Sequence, residues 1–538
     1  MNIAAIATAP GTGGIAVIRI SGPDAFTITD RIFRARNRNK TVSTAEAYTM
    51  LFGNIVDEIT DNRVQSTDNQ THSSFLIDEV VVAIFRAPHS FTGENTVEIS
   101  CHGSIYIQQE ILRLLIAAGA RMAGPGEFTQ RAFLNGRLDL SQAEAVADLI
   151  NAQSAAAHTI ALNQMRGNFS SKLEELRRQL LHFVSLLELE LDFGDHDDLE
   201  FADRTELNTV AEAIRSQLSR LQQTFSQGNA IKNGIPVAIV GETNAGKSTL
   251  LNLLVGDNRA IVSDIHGTTR DVIEDTVNIK GLTFRFIDTA GIRQTSDIIE
   301  NLGIERTYEM IERAQIILWV VDSTNVTEHI EWLAERIMRR SANKRLIILL
   351  NKIDRLNDEE LTTLREWFEP YCPSEKSVKS DERLLAQQES ESKNKEITSV
   401  HFSPRLKTSG SVSSVRDKNN SVREKNNSER NTSPLILEIS AKQNQNTTQL
   451  TQLLYESAQM PDLSAGDIII SNLRHYEALT HALDSIDRVI NGLQMNIPAD
   501  FVAQDIREAL FHLAEITGGE ITTDEVLGNI FAHFCIGK

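Results

Sequence analysis

The sequence predicts a multidomain protein with an α+β unit at the N-terminus, an all-α unit, and an α/β unit inserted into the all-α unit. A chain of 538 residues is too long to fold around one hydrophobic core, so several domains are expected. The spacing of apolar residues turns helical near Leu140, changes to short separated runs at Ile235, and becomes helical again after Pro461. The predicted segments are residues 1–136, 137–233, 234–461 and 462–538.

The composition is typical of a soluble globular protein, with 41% hydrophobic and 23% charged residues. The formal net charge of −20 argues against a protein that holds a phosphate backbone over a broad surface by itself. A partner subunit with a basic surface would remove this objection, so nucleic acid is not excluded.

Nothing in the sequence predicts export or a membrane segment. The apolar residues 1–20 have no basic residue before Arg19 and are interrupted by Pro10. No uninterrupted apolar run reaches roughly 18 residues. Cys101, Cys372 and Cys535 are too far apart to suggest a disulfide framework or a zinc site. We therefore expect a cytoplasmic protein.

In the N-terminal unit, alternating apolar residues predict strands at 14–20 and 80–85, and residues 105–118 are predicted to form a helix. Beyond Leu140, apolar residues recur every three or four positions on one predicted helix face. They are Met165, Phe169, Leu173, Leu176, Leu180, Phe183 and Leu187. We interpret this face as a buried seam of a bundle rather than a partner-binding surface.

The central segment predicts a doubly wound parallel sheet, because short apolar runs alternate there with helix-length segments. The runs are residues 236–240, 283–287, 316–321, 346–350 and 435–439. Residues 373–433 are polar and without period, so we expect most of this insert to be disordered or looped out. After the insert, apolar residues again recur on one predicted helix face. They are Leu473, Tyr476, Leu479, Leu483, Ile486 and Ile490.

A phosphate-binding loop is predicted where the first central strand meets a helix. The run is Gly241-Glu-Thr-Asn-Ala-Gly246-Lys247-Ser248. Its glycines let backbone N–H groups converge on phosphates at the helix N-terminus. Lys247 is expected to reach the β- and γ-phosphates, and the Ser248 hydroxyl to hold Mg²⁺.

Three further motifs follow the later strands in the order typical of Ras-like GTPases. The runs are Asp288-Thr-Ala-Gly291, Asn351-Lys-Ile-Asp354 and Ser440-Ala-Lys442. The Asp354 carboxylate can accept from N1–H and the exocyclic amine of guanine, whereas adenine would leave it unpaired. Together with the phosphate loop, these motifs predict a P-loop GTPase domain.

Ile292 occupies the position where Ras-like enzymes place the glutamine that orients the attacking water. Isoleucine can neither donate nor accept, so another group must position the water and another positive charge is needed. Glu300, Arg270 and Arg293 are candidates, although all three also fit as ordinary surface charges.

These motifs, with several others, make the chain resemble the TrmE (MnmE) family of tRNA-modification GTPases. The other matching runs are Gly267-Thr-Thr-Arg-Asp271, Cys535-Ile-Gly-Lys538, Pro10-Gly-Thr-Gly-Gly14, Ser90-Phe-Thr-Gly-Glu94, Pro125-Gly-Glu-Phe128 and Arg131-Ala-Phe-Leu-Asn135. The resemblance covers nearly all of the chain except the insert and a few loops. An alternative is an RNA-binding switch for ribosome assembly or signalling, which needs neither the N-terminal motifs nor the terminal Cys-Ile-Gly-Lys run.

The resemblance implies a homodimer that works with the flavoprotein MnmG (GidA) as a heterotetramer. The pair adds an aminomethyl or carboxymethylaminomethyl group to C5 of the wobble uridine of certain tRNAs, which are held through the complex. The one-carbon donor is 5-formyl- or methylene-tetrahydrofolate, bound by the N-terminal dimerisation domain. By motif position, the folate contacts are Arg19, Glu98, Arg137 and Lys538.

The resemblance also implies K⁺-dependent GTP hydrolysis without an external arginine. Asn244, Ser263, Ile265 and Thr268 match the K⁺ site, and Thr269 joins Ser248 at Mg²⁺. Glu300 matches the catalytic glutamate, acting with Lys247 and Asn244. The remaining matched GTP-binding residues are Ala245, Gly246, Thr249, Asp264, His266, Gly267, Asp288, Thr289, Ala290, Gly291, Asn351, Lys352, Asp354, Ser440, Ala441 and Lys442.

The chain departs from the family pattern at two positions of the predicted sites. Thr243 stands where the family commonly has a proline, and Arg137 replaces a frequent lysine, which keeps the charge but changes its geometry. Cys535 is expected to pack inertly rather than to act as a nucleophile. Cys101 and His102 alone are too few ligands for a metal.

Overall fold

The structure is a computed structural model. It describes residues 1–57, 75–193, 204–257, 275–287, 308–325, 328–342, 344–368, 370, 434–458, 468–519, 527, 530, 531, 534 and 537. The chain divides into two compact units. The first comprises Met1–Ala152, Ala157–Gly228 and Ser464–Lys538, and the second comprises Gln153–Ala156 and Asn229–Leu463.

The N-terminal part of the first unit is a seven-stranded mixed sheet with the order β3-β4-β5-β6-β2-β1-β7. The strands are β1 Ile3–Ile6, β2 Gly13–Ser21, β3 Phe33–Ala35, β4 Thr49–Asp57, β5 Phe75–Phe85, β6 Thr96–Gly103 and β7 Arg121–Met122. The predicted strands at 14–20 and 80–85 are confirmed as parts of β2 and β5.

Three helices accompany this sheet: α1 Ala25–Ile32, α2 Ile105–Ala117 and α3 Glu127–Leu134. Alternate strand residues such as Ile18, Val82 and Ile99 are fully buried and form one core with Ile111 and Leu115 of α2. The predicted helix at 105–118 is therefore confirmed, and one face of the sheet is covered.

The rest of the first unit is helical, in agreement with the predicted all-α unit. Its helices are α4 Leu140–Asn151, α5 Ala155–Met165, α6 Asn168–Phe193, α7 Arg204–Gln223, α13 Leu473–Gln494 and α14 Ala499–Thr517, and the boundary with the second unit after Gly228 falls within α8 Phe225–Asn233. Helices α9 to α12, whose bounds are given with the second unit below, belong to that unit. A capping box between Asp139 and Gln142 begins α4, because each side chain bonds the other's backbone N–H.

Side chains from both ends of the helical sequence fill one core. Leu176, Leu180 and Phe183 of α6 pack in the same cluster as Leu479 and Ile486 of α13. The α/β sequence is thus inserted into an all-α unit, as predicted.

Met165 does not belong to the apolar helix face on which the sequence placed it with Phe169. It ends α5, and α6 begins at Asn168, so Met165 does not share a helix with Phe169. The break contains Gly167, whose φ of +84° is a left-handed conformation that glycine adopts without strain. A Cβ there would lie 2.9 Å from the Gln142 side chain.

The second unit contains a six-stranded sheet with the order β13-β12-β11-β8-β10-β9. The strands are β8 Ile235–Val240, β9 Asp275–Ile279, β10 Leu282–Phe286, β11 Ile316–Asp322, β12 Arg345–Asn351 and β13 Leu435–Ile439. All neighbours are parallel except β9, which pairs antiparallel with β10. The five predicted strands are confirmed, and β9 is an additional edge strand.

The described helices of this unit are α9 Lys247–Asp257, α10 Glu328–Arg340, α11 Asp358–Phe368 and α12 Thr447–Ser457. Trp319 and Ile348 of the central strands are buried against Ile337 and Phe368 of α10 and α11. The parallel arrangement brings the carboxyl ends of β8, β11, β12 and β13 to one edge of the sheet.

The predicted insert, residues 373–433, lies entirely outside the described residues. Within the described part of the chain, no helix is both long and apolar enough to cross a membrane.

Candidate functional site

The phosphate-binding loop joins the end of β8 to the start of α9 and requires unusual backbone angles. Gly241, Asn244 and Gly246 have φ values of +145°, +65° and +102°. A Cβ on Gly241 would lie 2.1 Å from the carbonyl oxygen of Val320, so glycine is also needed for close approach to β11. The glycine spacing in the sequence therefore reflects both torsion and packing.

Lys247 begins α9 and turns back over its own loop. Its Nζ donates to the carbonyl oxygens of Gly241 and Glu242, at 2.7 Å each. Burial lowers the pKa of Lys247, against an opposing effect of the Glu242 charge. The ammonium is thus held at the mouth of the loop, where phosphate oxygens can replace the two carbonyl oxygens.

The side chain of Asn351 connects two loops at the carboxyl edge of the sheet. Its Nδ2 donates to the carbonyl oxygen of Ala245 at 2.7 Å, and its Oδ1 accepts from the backbone N–H of Ala441 at 3.0 Å. The side chain is buried. Asn351 therefore fixes the phosphate loop against the loop that carries Ser440, a structural role that the sequence motif did not reveal.

Asp354 lies beside the Ser440 loop as the motifs predict. The Ser440 hydroxyl donates to Asp354 Oδ1 at 2.6 Å, while Gln443 Nε2 is 3.5 Å from Oδ2. Asp354 is thereby oriented by the same loop that is expected to back the base. The Asp354 carboxylate keeps capacity to accept further hydrogen bonds, as guanine recognition requires.

Asp322, at the end of β11, is a site residue that the sequence did not indicate. Its carboxylate forms an ion pair with Lys352, whose backbone is left-handed with a φ of +70°. The other Asp322 oxygen accepts from the N–H and hydroxyl of Thr324, at 3.1 and 2.7 Å. Asp322 thus positions Lys352 beside Asn351.

Several predicted residues of the nucleotide site lie outside the described part of the chain. They are Ser263, Asp264, Ile265, His266, Gly267, Thr268, Thr269, Arg270, Asp288, Thr289, Ala290, Gly291, Ile292, Arg293 and Glu300. Their roles remain predictions. Ser248 and Thr249 lie in the first turn of α9, directly after Lys247, where a hydroxyl oxygen suits Mg²⁺.

The first unit contains a second candidate site on neighbouring strands. Arg19 of β2 and Glu98 of β6 are directly paired in register. Arg19 Nε and Nη2 both donate to Glu98 Oε1, at 2.9 and 2.7 Å. The two side chains are only 17% and 28% exposed, so the ion pair is partly shielded from water.

The Arg19 guanidinium also contacts aromatic and C-terminal groups. It lies 5.6 Å from the ring centroids of both Phe91 and Phe128. Its Nη1 donates to the carbonyl oxygen of Gly537 at 3.4 Å. The structure therefore brings Arg19 and Glu98 together with the residue before Lys538, while Lys538 and Cys535 themselves lie outside the described residues.

Arg137 is exposed and close to the loop after Phe91. A Cβ on Gly93 would lie 3.2 Å from Arg137 Cγ, so the glycine leaves room for the arginine stem. Nearby, Arg131 donates to Glu94 at 2.9 Å, and the Ser21 hydroxyl donates to Glu94 at 2.9 Å. The sequence singled out the motifs of Arg131 and Glu94 but not this interaction.

Cys101 and His102 do not form a metal site with other described residues. Cys101 is buried, and burial together with the Asp78 charge raises the pKa of its thiol to about 11. His102 Nδ1 lies 2.7 Å from Asp78 Oδ1. The thiol is therefore protonated near neutral pH and packs as a small apolar group.

Comparisons with known proteins find matches along almost the whole chain. Residues 2–137 match the family described as GTP-binding protein TrmE N-terminus, and residues 140–535 match the MnmE helical domain family. The tRNA modification GTPase MnmE of Parabacteroides distasonis is 52% identical over 100% of both chains. That of Bacteroides fragilis is 50% identical over 100% of this chain and 99% of its own.

The chain belongs to the MnmE family. It is therefore a GTPase, and it binds GTP with Mg²⁺. Lys247, Asn351 and Asp354, predicted from the sequence as nucleotide-site residues, contact the phosphate loop or the Ser440 loop, and their roles toward GTP remain predictions. The more distant MnmE of Christiangramia forsetii, 45% identical, also aligns over 100% of this chain and 99% of its own.

Proposed function

We propose that the chain is a K⁺-dependent GTPase that acts with a flavoprotein partner on tRNA. Together they add an aminomethyl or carboxymethylaminomethyl group to C5 of the wobble uridine, with a tetrahydrofolate as one-carbon donor. The single observation that carries the proposal is full-length identity of 52% with a relative named tRNA modification GTPase MnmE.

The geometry of the phosphate loop supports a monovalent cation in hydrolysis. Asn244 is exposed at the tip of the loop, and its side-chain oxygen is the kind of donor that K⁺ takes. The described loop contains no arginine. A cation held by Asn244, Ser263, Ile265 and Thr268 would supply positive charge near the phosphates, while Glu300 would orient the water.

The Arg19–Glu98 site supports folate as the one-carbon carrier. The Glu98 carboxylate suits the amide and amine edge of a pterin, and the exposed Arg137 suits the carboxylate tail. Phe91, 37% exposed, offers an aromatic surface beside Arg19. Lys538 would complete the site next to Gly537.

A homodimer is supported by the open face of the N-terminal sheet. The side chains of Met50 and Phe52 on β4 are 75% and 48% exposed, and Val81 on β5 is 37% exposed. Phe52 pairs with Val81, and Val81 pairs with Ser100, so these residues lie in one row across the strands. Several exposed apolar side chains on neighbouring strands are typical of a protein–protein interface.

The test is GTP hydrolysis by the purified chain in KCl and in NaCl of equal concentration, for the wild type and for Asn244→Ala. We expect strong stimulation by K⁺ in the wild type and its loss in the variant. Thr243→Ala, which changes the adjacent exposed side chain, is the matched control and should keep the stimulation. Equal wild-type rates in both salts would leave a GTPase but refute the K⁺ mechanism.

A further inference from the structure

Residues 31–45 carry an unusual local charge. The chain as a whole has 73 acidic and 53 basic residues, yet this segment contains five basic residues and no acidic one. The five are Arg31, Arg34, Arg36, Arg38 and Lys40, all exposed. We call these five residues the basic edge.

The basic edge follows the outermost strand of the N-terminal sheet. β3 is the terminal strand in the sheet order, and the chain continues along β4 far enough for the Arg36 N–H to donate to the Phe52 carbonyl oxygen at 2.9 Å. The next turn is closed by Lys40 N–H donating to Asn37 at 2.9 Å. The positive charges are therefore carried by an ordered backbone along one side of the sheet.

The carboxylate of Asp30, which directly precedes the segment, holds the loop after β3. The Asp30 carboxylate accepts from the N–H groups of Val42 and Ser43, at 2.7 and 3.0 Å, and from the Ser43 hydroxyl. Asp30 therefore shapes the loop after β3, and no ion pair links it to the basic edge among the described residues.

Among the described residues, few acidic groups face the positive charges of Arg36, Arg38 and Lys40. Arg31 and Arg34 donate to the backbone carbonyl oxygens of Ala118 and Asp30, which fixes the position of both side chains. Arg36 lies 4.0 Å from Glu79, and both side chains are more than half exposed, so this pair is weak. The side chains of Arg38 and Lys40 form no hydrogen bond or ion pair with any residue that the structure describes.

We propose that the basic edge is a surface with which this chain itself contacts the phosphate backbone of tRNA. The inference rests on the proposed function, which makes tRNA the substrate. A net charge of −20 repels a polyanion over most of the surface, so direct contact requires a local basic region. The charges are spread along the chain rather than converging on one point, which suits successive phosphates better than a single small anion.

The experiment measures binding of fluorescently labelled tRNA to the full-length chain by anisotropy, between 50 and 200 mM KCl. The test variant combines Arg36→Ala, Arg38→Ala and Lys40→Ala. Loss of three phosphate contacts should weaken affinity about tenfold or more at 100 mM salt and reduce the slope of log K against log salt by about 2 to 3. GTP hydrolysis should stay within about twofold of the wild type, because the changes lie outside the nucleotide-binding unit.

A matched control removes three exposed arginines elsewhere in the first unit, namely Arg166, Arg177 and Arg178. It should keep the wild-type affinity and salt slope. Unchanged affinity of the test variant, or no binding by the wild type at 50 mM salt, would overturn the proposal. So would binding to phosphatidylglycerol vesicles that the same three substitutions abolish without affecting tRNA.

A modification assay separates this inference from the proposed function. Wild-type chain and flavoprotein are incubated with tRNA, GTP and the folate donor, and the wobble nucleoside is analysed. Modification with normal tRNA binding by the test variant would refute the basic edge alone. No modification by the wild type would refute the proposed function, whatever the binding result.

Discussion

Glu144 and Arg474 form a two-point ion pair although 330 residues separate them in the chain. Arg474 Nε and Nη2 donate to the two Glu144 carboxylate oxygens at 2.9 and 3.0 Å. His475, almost fully buried, lies 2.7 Å from the same carboxylate. Arg474 also donates to the carbonyl oxygens of Glu515 and Ile516, so one side chain joins α4, α13 and the end of α14.

Replacing Glu144 with Gln should destabilise the helical part of the first unit. Removing one member of a buried ion pair leaves the others without a countercharge and costs about 3 kcal/mol. Amide hydrogen exchange of α4 and α13 at pH 7 should become faster. Glu174→Gln, at an exposed position of α6, is the control and should leave exchange unchanged.

The same pair predicts a loss of stability in acid. Burial alone would raise the pKa of Glu144, but the charges of His475 and Arg474 and their hydrogen bonds outweigh it and lower the pKa from 4.5 to about 2. The stabilisation is therefore complete above pH 4.5 and is lost as the pH falls toward 2. The difference in melting temperature between wild type and Glu144→Gln should shrink over this range; a constant difference would contradict the assignment.

Gly246→Ala should impair nucleotide binding. At a φ of +102° an alanine is strained, and its Cβ would lie 2.2 Å from Asn351 Nδ2. Backbone strain and displacement of Asn351 should weaken GTP and GDP binding by about tenfold to a hundredfold. Calorimetric titration measures the change.

Gly256→Ala in α9 is the matched control, because no atom lies within 4 Å of the added Cβ. It should bind nucleotide normally and be stabilised by about 0.5–1 kcal/mol, since alanine favours helix. Equal effects of the two substitutions would show that the loop geometry is unimportant.

Asp354→Asn should change the base preference from guanine to xanthine. The asparagine amide can accept a hydrogen bond from N1–H and donate one to the 2-oxygen of xanthine. With guanine, the asparagine NH₂ group faces the exocyclic amine, and two donors cannot form a hydrogen bond. We expect GTP affinity to fall about a hundredfold and XTP hydrolysis to appear. Asp358→Asn, in the first turn of α11, should retain GTP preference; retained preference in Asp354→Asn would exclude direct base reading.

Glu98→Gln should weaken binding of 5-formyltetrahydrofolate by about tenfold, because the carboxylate is lost as acceptor and Arg19 loses its ion-pair partner. Titration calorimetry measures the affinity, and GTP hydrolysis should be unaffected. Glu79→Gln on β5 removes an exposed carboxylate of the same sheet as a control. Normal folate affinity of Glu98→Gln would place the site elsewhere.

Much of the nucleotide site was predictable because local sequence dictates it. The phosphate loop needs Gly241 and Gly246 for torsion, and Lys247 must follow at the helix start, so residue type and spacing are both informative. Asp322 was not predictable in the same way, because its partner Lys352 follows the next strand, β12, and no local pattern links the two residues.

The sequence by itself determined the order of α+β, helical and α/β segments, the GTPase motifs and the family. It did so because apolar period and glycine spacing are local properties that residue order carries directly. Only the tertiary structure decided that Met165 and Phe169 lie on different helices. It also decided that Asn351 bridges two loops and that Glu144 forms an ion pair with Arg474. Those relationships depend on packing between distant segments, which sequence spacing does not encode.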